Sequence, residues 1–221
     1  AISYAKAMRR RQIMIATSSI GPGATNMVTA AGVAHTNRLP VLLISGDTFT
    51  NRRPDPVLQQ LEHFNNPTIT VNDSFKAVTR YWDRITHPEQ IISSLPQAIA
   101  VMLDPSDCGP AFIGLGQDTQ ELAFNYPSSF FEPTVHTIRR PRPDKKQLED
   151  AIKLIKSAEK PLIISGGGVR YSIAETTIGN FAKDHGIPVV ETIKDCGSKF
   201  FGRSCKKKKT HFYFHRHVNE K

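Results

Sequence analysis

Along most of the chain, short continuous apolar runs alternate with longer stretches in which apolar positions recur at helical spacing. Residues 1–10 read as the last turns of a helix. Residues 12–17 (QIMIAT) form a short apolar, β-favouring run, and the turn-rich SSIGPG follows. From Ala24 to about Arg38 the small or apolar Met27, Ala30, Ala31 and Ala34 recur at helical spacing and permit close backbone packing. Residues 40–45 (PVLLIS) are apolar nearly throughout, as expected for a parallel strand buried on both faces. Strand, glycine turn, helix and strand together predict a βαβ unit.

Beyond it the pattern loosens. Residues 46–85 read as loop-rich, punctuated by Pro54, Pro56 and Pro67. Thr86-His-Pro-Glu89 has the form of a capping box that opens a helix with Ile91, Ile92, Leu95 and Ile99 behind it. Pro96 is expected to kink that helix. Residues 111–115 (AFIGL) are another buried-strand candidate. Residues 118–143, with Pro127, Pro133, Pro141 and Pro143 and little periodicity, read as a linker. A second βαβ-like unit follows. Asp144-x-x-Gln147 caps a helix with an expected buried stripe of Leu148, Ala151, Ile152, Ile155 and Ala158. Residues 161–165 (PLIIS) predict a strand, GGG a turn, and Ser172-x-x-Glu175 a second capping box. Its helix carries Ile178, Phe181 and Ala182 on one face, stops at Gly186, and leads to a strand over residues 187–192.

After Ile193 the pattern collapses, and charge explains how far. Of the net charge of +9, residues 194–221 contribute nine Lys or Arg against Asp195 and Glu220, which leaves +2 for residues 1–193. The nucleic-acid reading that so basic a chain invites therefore rests on the tail alone, where Lys206–Lys209 would attract phosphates without specificity. Cys196, Cys205, His211, His215 and His217 crowd the same tail, but their spacings match no zinc finger, so no metal site is expected. Cys108 stands alone in the body, which fits a reducing, cytoplasmic setting rather than a disulfide framework. No apolar run approaches the ~20 residues that cross a bilayer, so no membrane partner is expected. The start without Met, in mid-helix, is expected to be a cut, and the tail an out-of-frame or disordered extension.

The stretch richest in chemistry is TSSIGPGATN, residues 17–26. Glycine permits positive φ and close approach of a ligand to the backbone, Pro22 stiffens the turn, and Asn26 falls in the first helical turn. By physics alone a plain strand-to-helix turn is the commoner meaning of such a motif. The longer string TSSIGPGATNMVTAAGVAHTNRLPVLLISGD, however, resembles the pyrimidine-binding domain of thiamine-diphosphate enzymes related to acetolactate synthase. The strings GDTFTNRRPDPVLQQLEH, NDSFKAVTRYWDRITHPEQ and PLIISGGGVRYS are similar, more narrowly, to ring-opening hydrolases of a cyclic dione in inositol breakdown. The resemblance spans residues 1–193.

It implies an α/β fold: a partial pyrimidine-binding domain with a parallel sheet over residues 1–120, a linker over 121–143, and the start of a Rossmann-like central domain over 144–193. It places Pro22, Asn26 and Gln59 around the cofactor's aminopyrimidine. For Gln59 a solvated loop residue is an equal alternative, because the loop aligns loosely. The resemblance also implies thiamine diphosphate and Mg²⁺ as cofactors, a small-molecule substrate and a homo-oligomer in the full-length family. No catalytic residue is assigned, since the family's glutamate would precede Ala1. On that account this chain is expected to hold no cofactor and to be inactive alone. Gly166-x-Gly168 with Glu191 imitates a dinucleotide fingerprint, but Tyr171 stands where the third glycine belongs. The rival readings are an acetolactate-synthase-like carboligase and, from another class, a small basic nucleic-acid-binding protein. His35, His63, His87 and His136 show no partnered pattern.

Overall fold

The computed structural model describes residues 1–53, 57, 59–61, 63 and 65–192. The tail expected to be foreign, with its lysine run and its Cys and His residues, lies outside the described residues. The chain divides into two units, residues 1–143 and residues 144 onward.

In the first unit α1 (Ile2–Ala7), β1 (Met14–Ser18), α2 (Pro22–Asn37), β2 (Val41–Asp47), β3 (Tyr81–Ile85), α3 (Ile91–Leu103) and β4 (Ala111–Gly116) follow in chain order. The four strands form one all-parallel sheet in the order β1-β2-β4-β3. This is the expected α/β architecture, with β2 and β4 in the centre. Both are almost wholly buried because both faces of the sheet are covered. One face packs Leu42, Ile85, Ala111 and Ile113 against Ala98 and Met102 of α3. On the other face Phe112 stacks on Phe75, ring centroids 4.2 Å apart, and Trp82 stacks beyond it.

α2 begins two residues earlier than its apolar periodicity suggested. Pro22 occupies the first helical turn, where its missing N–H costs nothing. Gly21 before it has φ 69°, a conformation that favours glycine. A larger departure is β3, which lies within the stretch expected to be loop. Of its residues Tyr-Trp-Asp-Arg-Ile the first four are only half-buried, as suits an edge strand, and only Ile85 is buried, so no apolar run betrays it. The capping box before α3 is also shifted by one residue. The Gln90 carboxamide oxygen, not Glu89, accepts from the Thr86 and His87 backbone N–H groups at 2.7 and 3.2 Å. α3 then runs on through Pro96 as one helix. Residues 118–143 hold two 3₁₀ turns, Thr119–Glu121 and Ser128–Phe131, and no longer element.

The second unit contains α4 (Lys145–Ser157), β5 (Ile163–Ser165), α5 (Gly167–Tyr171), α6 (Glu175–Asp184) and β6 (Val189–Glu191), with β5 and β6 parallel. Asp144 caps α4 as expected, its Oδ1 accepting from the Gln147 N–H at 3.1 Å. Three expectations fail. The α4 stripe is present but exposed: Leu148, Ile152 and Ile155 keep 47, 42 and 46% of their surface. A sheet of two three-residue strands is too small to cover a helix of 13 residues. The glycine turn is a short helix, α5. Ser172 forms no capping box, because its hydroxyl donates backward to the Gly168 carbonyl at 2.7 Å and helps close α5, leaving α6 without a side-chain cap. Gly186, at φ 63°, ends α6 as expected.

Candidate functional site

Open parallel sheets place ligands outside the carboxyl ends of their strands, because the loops there diverge to opposite faces. Among the described residues of the first unit, two cavities open at that end. The smaller, of about 290 Å³, is lined by Ser18 and Ser19 after β1, Gly46 and Asp47 of β2, Gln59, and Gln117 after β4. The larger, of about 540 Å³, opens on the β2, β3 and β4 side of Asp47 and includes Thr48, Arg84 and Gly116.

The glycine turn and the Gln59 loop are locked together. A Cβ on Gly21 would lie 1.7 Å from the Gln59 carbonyl oxygen, so no other residue fits there without moving the loop. The Ser19 hydroxyl donates to Gln59 Oε1 at 3.2 Å. The Ser45 hydroxyl donates to the Ser19 carbonyl at 3.2 Å and ties this turn to β2. Gln59 has φ 67°, an uncommon conformation for a residue with a side chain. Its neighbour Gln60 is buried, and the Gln60 Nε2 has no hydrogen-bond partner. An orphaned buried donor in a loop beside a cavity is what a bound acceptor would satisfy.

The three residues assigned by resemblance are therefore not equivalent. Gln59 lines the smaller cavity. Pro22 and Asn26 lie exposed on the first turns of α2 and do not line it. They share the turn with Gly21 and offer one open wall, not an enclosed pocket.

Between the two cavities stands an ion-pair network that sequence reasoning missed. Asp47 is buried at the end of β2, with Oδ1 accepting from the Thr48 N–H at 2.8 Å and Oδ2 from Arg84 Nε at 2.7 Å. Arg84 Nη2 also donates to Thr70 Oγ1 at 2.8 Å and to Asp73 Oδ2 at 3.0 Å. Burial works against the Arg84 cation, but the hydrogen bonds and charges of Asp47 and Asp73 outweigh it and push its pKa up. Burial likewise opposes ionisation of Asp73, yet Lys76, the Thr70 N–H and Arg84 together hold its carboxyl below the usual range. Asp47 also crowds Gly114 of β4, where a Cβ would meet Oδ2 at 3.0 Å. The only trace in the sequence is the GD that ends β2; its partner lies 37 residues away.

The other candidates are quieter. Burial pushes the Cys108 thiol up to about 11, and Sγ donates to the Arg38 carbonyl at 3.2 Å, so it is an unreactive thiol. In the second unit the Tyr171 ring folds back on the glycines, 3.2 Å from where a Gly167 Cβ would stand. Among the described residues no group of three His, Cys, Asp or Glu could hold a metal ion, and no helix is long and apolar enough to cross a membrane.

Comparison with known proteins follows this division. Residues 1–66 match the thiamine pyrophosphate enzyme N-terminal TPP binding domain, and residues 148–201 match the thiamine pyrophosphate enzyme central domain. Over 192 residues, 87% of the chain, it is 50% identical to the 3D-(3,5/4)-trihydroxycyclohexane-1,2-dione hydrolase of Geobacillus thermodenitrificans and 51% identical to that of Clostridium tetani. The Bacillus subtilis hydrolase of the same name is 50% identical over the same span. The chain covers 30% of the length of each of these relatives. Among solved structures, a protein described as a thiamin diphosphate-dependent enzyme from Mycobacterium smegmatis superposes with a TM-score of 0.64 at 20% identity, over 87% of this chain and 35% of that one. At that identity the likeness speaks for the fold.

Proposed function

Over residues 1–66 and 148–201 this chain belongs to the thiamine pyrophosphate enzymes, and from that premise we propose that it forms part of a hydrolase that opens a cyclic 1,2-dione by cleaving a carbon–carbon bond. The observation that carries the reading is half-identity, over 192 residues, to relatives that bear the name of the trihydroxycyclohexanedione hydrolase. The full reaction in this reading serves inositol breakdown in the cytoplasm, with thiamine diphosphate and Mg²⁺ held between subunits of a homo-oligomer.

The described residues suit the heterocycle's side of such a cofactor. Gln59 brings a carboxamide to the smaller cavity, Gln60 keeps an unpartnered buried donor in the same loop, and Asn26 presents its amide from the start of α2. Pro22 adds a rigid apolar surface beside Gly21. When bound, thiamine diphosphate supplies the carbanion stabilisation that carbon–carbon cleavage needs. The work of this chain's own residues is to bind and orient: the Gly21–Gln59 contact fixes the loop against the turn, so that Gln59 is held in place before a ligand arrives.

A chimera tests this. Residues 1–192 replace the matching segment of the Bacillus subtilis hydrolase, and ring opening of the dione is measured beside acetolactate formation from pyruvate. Ring opening within about tenfold of the parent, with a raised KM for thiamine diphosphate in the Asn26→Ala chimera, is expected. Acetolactate formation in place of ring opening would favour the carboligase.

A further inference from the structure

At the amino ends of its strands, opposite both cavities, the first unit carries a row of arginines that the proposed function does not use. The segments leading into the four strands are residues 8–13, 37–40, 78–80 and 104–110, and together they hold five Arg against two Asp. Arg9, Arg10 and Arg11 precede β1, Arg38 precedes β2 and Arg80 precedes β3. Contacts join these segments into one surface. Arg10 Nη2 donates to the Asn37 carbonyl at 2.9 Å, and the Cys108 thiol, before β4, donates to the Arg38 carbonyl at 3.2 Å. The Arg80 N–H donates to the Pro110 carbonyl at 2.8 Å, and its side chain lies across Gly109, where a Cβ would meet Cγ at 2.5 Å. Burial raises the Cys108 pKa, and the charges of Arg10, Arg38 and Arg80 all pull against it, so the three converge on one point.

Two features set this row apart from ordinary surface charge. Left-handed backbone favours glycine, yet of the six described non-glycine residues with positive φ, three are Arg9, Arg10 and Arg38, at 55, 60 and 52°. Arginine thus stands where glycine would suit the backbone better. The acids nearby also leave most of the charge in place. Asp107 meets Arg80 at 3.4 Å, and Asp104 Oδ1 accepts from the Ser106 and Asp107 N–H groups at 2.7 and 3.4 Å. Arg10 serves the carboxyl end of α2, while Arg11, Arg38 and Arg80 are exposed. Neighbouring strands lie about 4.8 Å apart, so the order β1-β2-β4-β3 spreads these three along about 15 Å. Guanidinium forks in a line suit linked phosphates. The four segments contain no aromatic residue on which a base could stack, which favours the phosphates themselves over a nucleic acid.

We infer that the amino end of the first-unit sheet binds a linear oligophosphate, held by Arg11, Arg38 and Arg80. This site is independent of the proposed function, whose residues lie at the other end of the sheet. Titration of the isotope-labelled full chain with inorganic tripolyphosphate, followed by NMR at the amides of Arg38, Arg80 and Cys108, tests it. Tripolyphosphate is expected to bind about tenfold tighter than orthophosphate and to lose about tenfold when Arg38→Gln and Arg80→Gln are combined, with part recovered by lysine at both positions. Arg38→Gly should weaken binding about threefold while keeping or raising thermal stability, because glycine suits that backbone. Glutamine in place of Lys206–Lys209 should leave the shifts at these amides unchanged, which separates the site from the tail. ATP in a parallel arm distinguishes the sources: affinity above that of tripolyphosphate assigns the site to a nucleoside triphosphate, and affinity at or below it to an inorganic chain. Tighter binding of an oligothymidylate than of tripolyphosphate at the same amides would overturn the proposal in favour of a nucleic acid. Equal affinity for orthophosphate and tripolyphosphate, shifts confined to other amides, or indifference to the paired glutamine changes would overturn it outright.

Discussion

The two units follow one construction rule, parallel strands joined by helices, yet the first buries its apolar residues and the second does not. In the first, β2 and β4 have a strand on each side and a covered face above and below, so Phe112, Ile113 and Leu43 are almost fully buried. In the second, among the described residues, β5 and β6 have one neighbour each, and Ile164 and Val190 keep 68 and 40% of their surface. Local sequence is equally apolar in PVLLIS and PLIIS. Burial is thus decided by the number of strands and helices that surround a run, and the run itself says only that it can be buried.

The largest expected effect comes from exchanging equal truncations between the units. Phe112 packs between Phe75 and Trp82, so Phe112→Ala should cost the first unit about 3–5 kcal/mol. Leu148→Ala on the exposed stripe of α4 should cost less than about 1 kcal/mol. Urea unfolding followed by Trp82 fluorescence reads the first unit, and hydrogen exchange of the α4 amides reads the second. Similar costs in both would mean that the α4 stripe is covered in solution, and the contrast would disappear.

A smaller effect should come from the charges. Removing Arg84 strands the buried Asp47, and since Arg84 keeps about a quarter of its side chain exposed, the cost of Arg84→Met should be about 2–3 kcal/mol, below that of a fully buried pair. The acid limb follows from Asp73. Its folded pKa lies below the unfolded value, so its contribution is complete above about pH 4 and is lost as pH falls through the folded value. Asp73→Asn should therefore flatten the decline of first-unit stability at acid pH while lowering it near neutrality. An acid limb that Asp73→Asn leaves unchanged would assign it to other carboxylates.

How much of this was legible depends on whether the deciding contacts are local. The central strands, α2 and the Asp144 cap are written in runs, spacing and single residues. β3 is not, because an edge strand carrying Asp83 and Arg84 satisfies those side chains through contacts that periodicity cannot express. Ser172 and Glu175 had the right spacing for a capping box, but the glycines ahead formed α5 and took the serine hydroxyl. At the site the GPG turn was visible and resemblance supplied Gln59. The contact that gives Gln59 meaning, its carbonyl against Gly21, joins residues 38 apart and needs the fold. The same holds for Asp47 and Arg84.

The smallest expected effect separates local from tertiary support most cleanly. α4 keeps its apolar stripe exposed, so packing contributes little to it and local terms should dominate its stability. The strongest of these is the Asp144 cap, whose carboxylate meets the Gln147 N–H at 3.1 Å and sits at the positive end of the helix dipole. Asp144→Ala should cost about 1 kcal/mol, read as roughly fivefold faster exchange of the α4 amides, with Asp144→Ser restoring most of it. In the first unit Thr70 caps Val71–Ala77 in a reciprocal box with Asp73 and also receives Arg84, so Thr70→Ala should cost more than the same change at Asp144. If exchange in α4 ignores the loss of Asp144, the helix is held by packing after all, and the second unit buries in solution what its two strands cannot cover.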